Sequence, residues 1–301
     1  MAGQNVVDPF NPRQYVFPGD PDLGFAGWIS SVVELPDAPP EPWSTPRPGT
    51  PGGEVTLHRI RSVFLDREYR VWVYTPPGYT SDGAAYGFLL VLDGWLYIQL
   101  ILTPIILDNL LADGRLPPLV AIMVSSPMDP TRQRDLACYP PFVDFVTQEL
   151  LPWARATYHL TQDPTQTCVV GASLGGLMAA YLGFKHSSLF GQVLSQAGAF
   201  SWKPEGESEY DWLPRQYDAS PRLPLRFYLE AGLFETALQT GFGGAQDFLA
   251  ATRRMRDVLR AKGYEVQHRE FSTGHNPLNW KGTLATGLLA LWKEGANEKD
   301  E

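Results

Sequence analysis

One serine of this chain stands in a pattern that suits a catalytic nucleophile. Ser173 lies at the centre of Gly171-Ala172-Ser173-Leu174-Gly175, with the apolar segment TCVV before it and LMAAYLGF after it. A G-x-S-x-G sequence between a strand and a helix forms a strained turn, in which side chains on the glycines would collide with the backbone. Such a turn exposes the serine hydroxyl at the start of the helix. The sequence therefore predicts acyl transfer through Ser173.

A serine hydroxyl becomes a good nucleophile only when a base takes its proton, and histidine is the usual base. His275 lies late in the chain, in the loop sequence Ser-Thr-Gly-His-Asn-Pro that follows an alternating strand. The chain order serine, acid, histidine is typical of this type of turn, and it favours His275 as the base. The other four histidines lie in strands or near helix ends, where structural roles are expected: His58, His159, His186 and His268.

The acid that orients the histidine is expected between the serine and the histidine, just past a strand. The segment LRFYLEAGLFETAL offers Glu230 in the strand end and Glu235 in the following loop. Glu235 is favoured, because a loop carboxylate can reach back to the histidine. Asp211 and Asp218 lie in the preceding polar segment and are weaker candidates. A Ser–His dyad with no strong third member also remains open.

Acyl transfer further needs donors for the oxyanion and walls for the substrate. The predicted donors are the backbone N–H groups of Leu174 and of Trp95, the latter in a turn after an earlier strand. Aromatic side chains beside the motifs suit an aryl acyl group, and arginines suit anionic oxygens. Core packing of the aromatic residues and a solvated loop for the arginines are the alternatives. The predicted substrate-binding residues are Asp93, Gly94, Arg132, Arg134, Phe200, Trp202 and Trp280.

The elements that must position these residues alternate along the chain. EVTLHRIRSVFL and YRVWVYTPP alternate in polarity and predict a β-hairpin that turns at 66–68. GFLLVLDG, LVAIMVSS, TCVVGAS, QVLSQAG and LRFYLEAG predict buried strands, with helical segments between them. The sequence therefore predicts an α/β chain with the α/β-hydrolase fold: a mostly parallel central sheet, helices on both faces, and an antiparallel N-terminal edge hairpin. The candidate residues follow strand ends, where active sites of such sheets lie.

Composition divides the chain into three predicted parts. Residues 1–53 end in the Pro-rich sequence DAPPEPWSTPRPGTPGG and predict an extended arm or linker, whose aromatic residues pack in part on the domain. Residues 54–295 predict the catalytic domain, and residues 296–301 form a charged tail. A chain of 301 residues with 44% hydrophobic residues can bury the core of such a domain.

Charge, cysteine content and hydropathy indicate the expected partners and compartment of the protein. The net charge of −9 argues against a nucleic acid partner. No signal peptide and no membrane span are recognised, so the cytoplasm is the expected compartment. Cys138 and Cys168 are expected to be reduced core thiols, with a bridge as the alternative. No metal or organic cofactor is expected, the expected partner is a small-molecule ester, and the oligomeric state is left open.

Together these motifs resemble the catalytic domain of the enterochelin (enterobactin) esterases. The resemblance implies a Ser–His hydrolase that cleaves the ester bonds of a cyclic tri-catecholate siderophore and so releases its iron. By position, Ser173, His275 and Glu235 match the family's nucleophile, base and acid, and Arg132 matches an arginine that meets the anionic substrate. The matching pieces run from about residue 54 to the end: VLDGWLYIQ, Leu116-Pro117-Pro118, Arg132-x-x-Asp135-Leu136, QELLP, GASLGGL, VLSQAGAF, LEAGLFE and GHNPLNWKG.

Three departures from the family's pattern are visible. The Pro-rich arm stands where those esterases carry a separate N-terminal domain. The acidic partner of Arg132 is Asp135 instead of Glu. Asn276 replaces an Asp that follows the catalytic histidine in the family. None removes a catalytic group, but the absent domain helps to enclose a large ligand. A broad carboxylesterase for aryl or feruloyl-type esters is therefore an alternative. A non-catalytic catecholate-binding protein is the alternative from another class.

Overall fold

An eight-stranded sheet forms the centre of the structure. The computed structural model describes residues 6–34, 38–126, 130–239 and 245–292. The strands are β1 (Gln14–Phe17), β2 (Trp28–Ser31), β3 (Glu54–Ser62), β4 (Arg67–Thr75), β5 (Gly87–Leu92), β6 (Leu119–Val124), β7 (Thr167–Ala172), β8 (Gln192–Gln196), β9 (Arg226–Gly232), β10 (Leu238–Gln239), β11 (Ala245–Gln246) and β12 (Glu265–Phe271).

The order of strands in the large sheet is β12-β9-β8-β7-β5-β6-β4-β3. Strands β3 and β4 form an antiparallel hairpin at one edge, and β4 pairs antiparallel with β6. The other neighbouring pairs are parallel. Strands β5 to β8 are buried along their whole length, because helices cover both of their faces. The predicted fold class, with its antiparallel edge hairpin, is confirmed.

The helices divide between the two faces of the sheet. One core cluster includes Leu177 and Phe248, and the other includes Ile106 and Leu288. The helices are α1 (Gly94–Gln99), α2 (Thr103–Ala112), α3 (Pro130–Leu136), α4 (Pro140–Asp144), α5 (Leu151–Thr157), α6 (Leu174–Lys185), α7 (Trp212–Ala219), α8 (Phe248–Ala261) and α9 (Pro277–Leu291), with a π-helical segment (Phe145–Leu150) between α4 and α5.

Strands β1 and β2 pair antiparallel within the Pro-rich arm and form a sheet of their own. Phe17 of this hairpin belongs to the same core cluster as the helices α1, α2 and α9. Strands β10 and β11 form a second short pair after β9. The predicted domain end at 295 and the charged tail 296–301 lie outside the described residues. Cys138 and Cys168 are buried and free.

Candidate active site

Ser173 lies between the last residue of β7 and the first of α6, in a backbone conformation that few residues adopt. Its φ of 57° and ψ of −120° fall outside the regions that L-residues prefer, and such strain concentrates at functional sites. The conformation is held from both sides. The Ser173 N–H donates to the Gln196 carbonyl at 2.9 Å, and the Ala199 N–H donates to the Ser173 carbonyl at 3.0 Å. Strand β8 and the loop after it therefore fix the turn.

The glycines around Ser173 are required by this close packing. A Cβ atom on Gly171 would lie 2.3 Å from the Gly175 carbonyl carbon, and one on Gly176 would lie 2.5 Å from the Ser195 Oγ. Real Cβ atoms do not approach backbone atoms so closely, so the first turn of α6 can meet β7 and β8 only where glycine occurs. The G-x-S-x-G pattern thus has a steric cause in the structure.

His275 lies in the loop between β12 and α9, beside the carboxylate of Glu235. Its Nδ1 atom is 3.4 Å from the Glu235 Oε1 atom. The Phe248 ring lies 4.4 Å from the imidazole, and the Trp280 ring meets it edge-on at 5.0 Å. The Phe234 N–H donates to the Thr273 carbonyl at 3.1 Å, which ties the loop of the acid to the loop of the histidine. Contacts on several sides therefore hold the imidazole in place.

Glu235 is fully buried, and neither of its carboxylate oxygens has a hydrogen-bond partner among the described residues. A buried carboxylate without donors is destabilised unless a positive charge lies next to it. The nearby His275 imidazole acquires such a charge whenever it takes a proton. Glu235 is therefore placed to stabilise the positive charge that a general base acquires during catalysis.

The other candidate acids have different partners. Glu230 is fully buried and accepts hydrogen bonds from Gln196, Tyr228 and Thr283, and burial raises its pKa to about 7. Asp211 forms an ion pair with Arg254. Asp218 is exposed on α7. Within the described residues, Glu235 is the one of the four candidate carboxylates that lies against His275.

Ser173 and His275 line one cavity of about 250 Å³ at the carboxyl ends of the strands. The cavity contains six of the residues predicted for the site and adds three that sequence reasoning missed: Leu96, Ser125 and Ser126. Ser125 and Ser126 directly follow β6, so the position of a strand's carboxyl end could have indicated them. The lining residues are Asp93, Trp95, Leu96, Ser125, Ser126, Arg132, Ser173, His275 and Trp280.

Besides the His275 Nδ1, which faces Glu235, two polar atoms of the lining residues lack hydrogen-bond partners within the described structure. They are the Ser126 Oγ and the Trp280 Nε1, and both are buried. An unpaired buried donor or acceptor destabilises the fold by about 1–3 kcal/mol, and a ligand that pairs with it offsets part of this cost. These atoms are therefore candidate hydrogen-bonding groups for a substrate.

The structure corrects the expected partner of Arg132. Its Nε and Nη2 atoms donate to the two carboxylate oxygens of Asp93, at 2.8 and 2.6 Å, and not to Asp135. Asp135 is fully buried, where it accepts a hydrogen bond from the Tyr69 hydroxyl at 2.6 Å and pairs with Arg134. The difference arises because Arg132 extends from α3 to the residue after β5, whereas Asp135 faces the interior.

Four predicted substrate-binding residues lie outside the cavity lining. Phe200 is fully buried in the core, and Trp202 packs edge-on against Trp212 at 5.8 Å. Arg134 is engaged by Asp135. Gly94 lets α1 approach β6, because a Cβ atom there would lie 2.4 Å from the Met123 carbonyl oxygen. Each of these residues lies next to a sequence motif of the site but has its contacts elsewhere in the structure.

Leu174 and Trp95 stand at the starts of α6 and α1, respectively. Backbone N–H groups in the first turn of a helix have no carbonyl partner within that helix. Both residues lie next to Ser173 or the cavity: Leu174 follows Ser173 in sequence, and Trp95 lines the cavity. Their N–H groups are therefore available as donors at this end of the sheet.

Three of the four other histidines have side-chain contacts with residues that do not line this cavity. The His58 Nε2 meets the Tyr158 hydroxyl at 2.7 Å, the His159 Nε2 meets the Gly83 carbonyl at 3.1 Å, and His268 lies against Arg256. Over the described ranges, no group of three metal-binding side chains is found. In the same part of the chain, no helix is both long and apolar enough to cross a bilayer.

Comparisons with known proteins agree with this geometry. The model of a family described as "Putative esterase" matches residues 62–291. The iron(III) enterobactin esterase of Escherichia coli (strain K12) is 30% identical over 297 residues, which cover 97% of this chain and 69% of that protein. The crystal structure of enterochelin esterase from Shigella flexneri is 29% identical, with a TM-score of 0.76, and it covers 96% of this chain and 68% of its own. A ferulic acid esterase from Anaeromyces mucronatus shares the fold alone. It is 18% identical, with a TM-score of 0.66, and the match covers 86% of this chain and 100% of that one.

Proposed function

This chain belongs to the esterase family and is a carboxylic ester hydrolase, and we propose that it cleaves enterobactin-type siderophore esters through an acyl-enzyme on Ser173. The observation that carries the proposal is the strained Ser173 turn, which shares one cavity with a His275 imidazole that lies 3.4 Å from a buried carboxylate. A nucleophile, a base and a charge partner for the base are the groups that acyl transfer requires.

In the proposed reaction, His275 takes the Ser173 hydroxyl proton while the Ser173 Oγ bonds to the ester carbonyl carbon. The carbonyl oxygen becomes an oxyanion, which the N–H groups of Leu174 and Trp95 stabilise. Glu235 stabilises the imidazolium. The ester C–O bond then breaks, and His275 returns the proton to the leaving alcohol. In the second half, His275 takes a proton from water, the hydroxide attacks the acyl carbon, and Ser173 leaves with its proton restored.

The choice of a siderophore ester is supported by the relatives and by the walls of the cavity. Structures of the Shigella flexneri esterase were solved in the presence of enterobactin and of 2,3-dihydroxy-N-benzoyl-serine. In this chain, Trp95 and Trp280 supply aromatic surface at the cavity, which suits an aryl group. Arg132 donates one N–H from Nε and one from Nη2 to Asp93, and among the described contacts its Nη1 group makes none, so it can donate to an anionic oxygen.

A simple aryl or feruloyl-type ester is the second candidate substrate. The cavity of about 250 Å³ is small beside the typical range for drug-sized ligands, so one aryl-acyl unit fits it better than a macrocycle does. A cyclic trilactone would have to extend beyond the cavity.

We also propose a cytoplasmic location. The buried free thiols of Cys138 and Cys168 suit a reducing compartment. Cell fractionation followed by immunoblotting tests this location.

The first experiment compares hydrolysis of p-nitrophenyl butyrate with hydrolysis of ferric enterobactin by the same preparation. Ser173→Ala should abolish both activities, and Ser188→Ala, which alters an exposed serine beyond α6, should change neither. Turnover of p-nitrophenyl butyrate alone would keep the mechanism and favour the simple ester. Binding of ferric enterobactin without Ser173-dependent turnover of either compound would refute the proposed reaction and indicate a binding protein.

A further inference from the structure

The arm hairpin of β1 and β2 is joined to the domain by aromatic packing and by an ion pair. Phe17 is 8% exposed and belongs to the core cluster that contains residues of the domain's helices α1, α2 and α9. Asp20, in the connection between the two strands, pairs with Arg70 of β4 at 2.7 Å, and both side chains are largely buried. These contacts give the arm a defined position on the domain.

The hairpin contacts α1 at both of its ends. The Phe25 ring meets the Trp95 ring edge-on, with centroids 5.3 Å apart and an interplanar angle of 76°. At the other end of α1, the Tyr15 hydroxyl donates to the Leu100 carbonyl at 2.7 Å. Burial, with a smaller effect of the Glu41 carboxylate, raises the pKa of Tyr15 to about 12, so this hydroxyl stays a donor throughout the neutral range.

The first residue of α1 also lies close against the sheet. Gly94 approaches β6 so closely that a Cβ atom would lie 2.4 Å from the Met123 carbonyl oxygen. The backbone at Trp95 therefore lies between the end of β6 and the arm. The position of this backbone relative to Ser173 therefore depends on its contacts with both the sheet and the arm.

We propose that the arm is a positioning element for catalysis, in which Tyr15 and Phe25 hold the Trp95 N–H at the place of the oxyanion. This inference rests on the proposed role of Trp95 as an oxyanion donor. A donor aimed at the oxyanion acts mainly in the transition state, because the ground-state carbonyl oxygen occupies a different position. A small displacement of α1 therefore lowers kcat and leaves ground-state binding of a small ester unchanged.

Tyr15→Phe is the main test, because it removes one hydroxyl and no packing volume. Complete loss of one oxyanion donor lowers kcat by about 10²- to 10³-fold, so a displaced donor is expected to lower it by about tenfold. The KM for p-nitrophenyl butyrate should not change. The inhibition constant of an aryl trifluoromethyl ketone, whose serine adduct carries an oxyanion, should rise by the same factor as kcat falls. Phe25→Leu should likewise lower kcat and raise the inhibition constant.

Two control variants separate this role from a general effect of substitution. Val16→Ala changes a side chain of the same hairpin that is 56% exposed. Tyr86→Phe removes a hydroxyl that accepts a hydrogen bond from the Thr80 N–H, and Tyr86 precedes β5, at the opposite end of that strand from Asp93. Both should retain the kcat and the inhibition constant of the unmodified protein.

The possible results differ for the arm and for the proposed reaction. Activity of Tyr15→Phe and Phe25→Leu equal to the unmodified protein, with Ser173→Ala inactive, would overturn the arm's role and leave the esterase mechanism standing. If total activity falls only because fewer active sites can be titrated, while the kcat per site and the inhibition constant are unchanged, the arm has a folding role and the inference is overturned. A rise in KM confined to ferric enterobactin would show a substrate-contacting surface instead. Activity retained by Ser173→Ala would refute the proposed reaction itself.

Discussion

Replacing Glu235 by glutamine tests how much the third group of the site contributes. The carboxylate is fully buried, and its Oε1 lies 3.4 Å from the His275 Nδ1. Two unit charges at that separation attract each other by about 5 kcal/mol at an effective dielectric constant of about 20. An imidazolium forms when His275 takes the serine proton, so the lost attraction raises the barrier of that step. Because each 1.36 kcal/mol is tenfold in rate, Glu235→Gln should lower kcat by about 10³- to 10⁴-fold.

The assay is steady-state hydrolysis of p-nitrophenyl butyrate, normalised to the number of active sites titrated. Glu270→Gln is the matched control, since it neutralises a carboxylate of β12 that is paired with Arg253. That variant should keep kcat within about twofold, because the Glu270–Arg253 pair is partly exposed to solvent and does not involve His275. The thermal midpoint of Glu235→Gln should not fall, because glutamine fills the same volume and removes a buried charge that lacks hydrogen-bond donors.

The outcome against this reasoning is a Glu235→Gln variant within about tenfold of the unmodified protein, when Ser173→Ala is inactive. Such a result would show that Ser173 and His275 work as a dyad and that the Glu235 charge does not act on the imidazole. A large decrease in both the Glu235 and the Glu270 variants would point to a general loss of folding instead.

Two further predictions concern stability. Gly171→Ala should lower the free energy of unfolding by about 3 kcal/mol or more, since its Cβ would lie 2.3 Å from backbone atoms. The control Gly52→Ala, whose Cβ would meet one atom at 3.7 Å, should change it by less than about 1 kcal/mol. Denaturant titrations measure both values, and equal effects would contradict the steric argument. Burial raises the pKa of Glu230 to about 7 from 4.5, so the folded state binds the proton more tightly. Stability should therefore fall by about 3 kcal/mol as pH rises from about 4.5 to 7, and Glu230→Gln should flatten this slope; an unchanged slope would refute it.

The local features of the site could be predicted from the sequence because their causes are short-range. The turn at Ser173 needs glycines within a few residues on either side, so the motif and the strain occur together. Apolar runs that end at Asp93 or Ser173 indicate buried strands, and strands of a parallel sheet end at one edge. Fold class and the strand ends that carry the candidate residues followed from such patterns.

The sequence alone could not decide which of two neighbouring carboxylates contacts His275. Glu230 and Glu235 are five residues apart, but Glu230 faces Thr283 of α9 while Glu235 faces His275. Arg132 pairs with Asp93, which is 39 residues away in sequence, and not with the nearer Asp135. These pairings depend on where strand ends and helices meet across the sheet.

The sequence by itself determined the nucleophile's turn, the alternation of strands and helices, and the family. The tertiary structure alone decided that Phe200 and Trp202 pack away from the cavity, that Ser126 lines it, and that the arm meets Trp95. The physical reason is the range of the interactions. Steric limits on a turn and the period of a strand act between residues a few positions apart, whereas a side chain's partner depends on which distant segments the folded chain brings within a few ångströms of it.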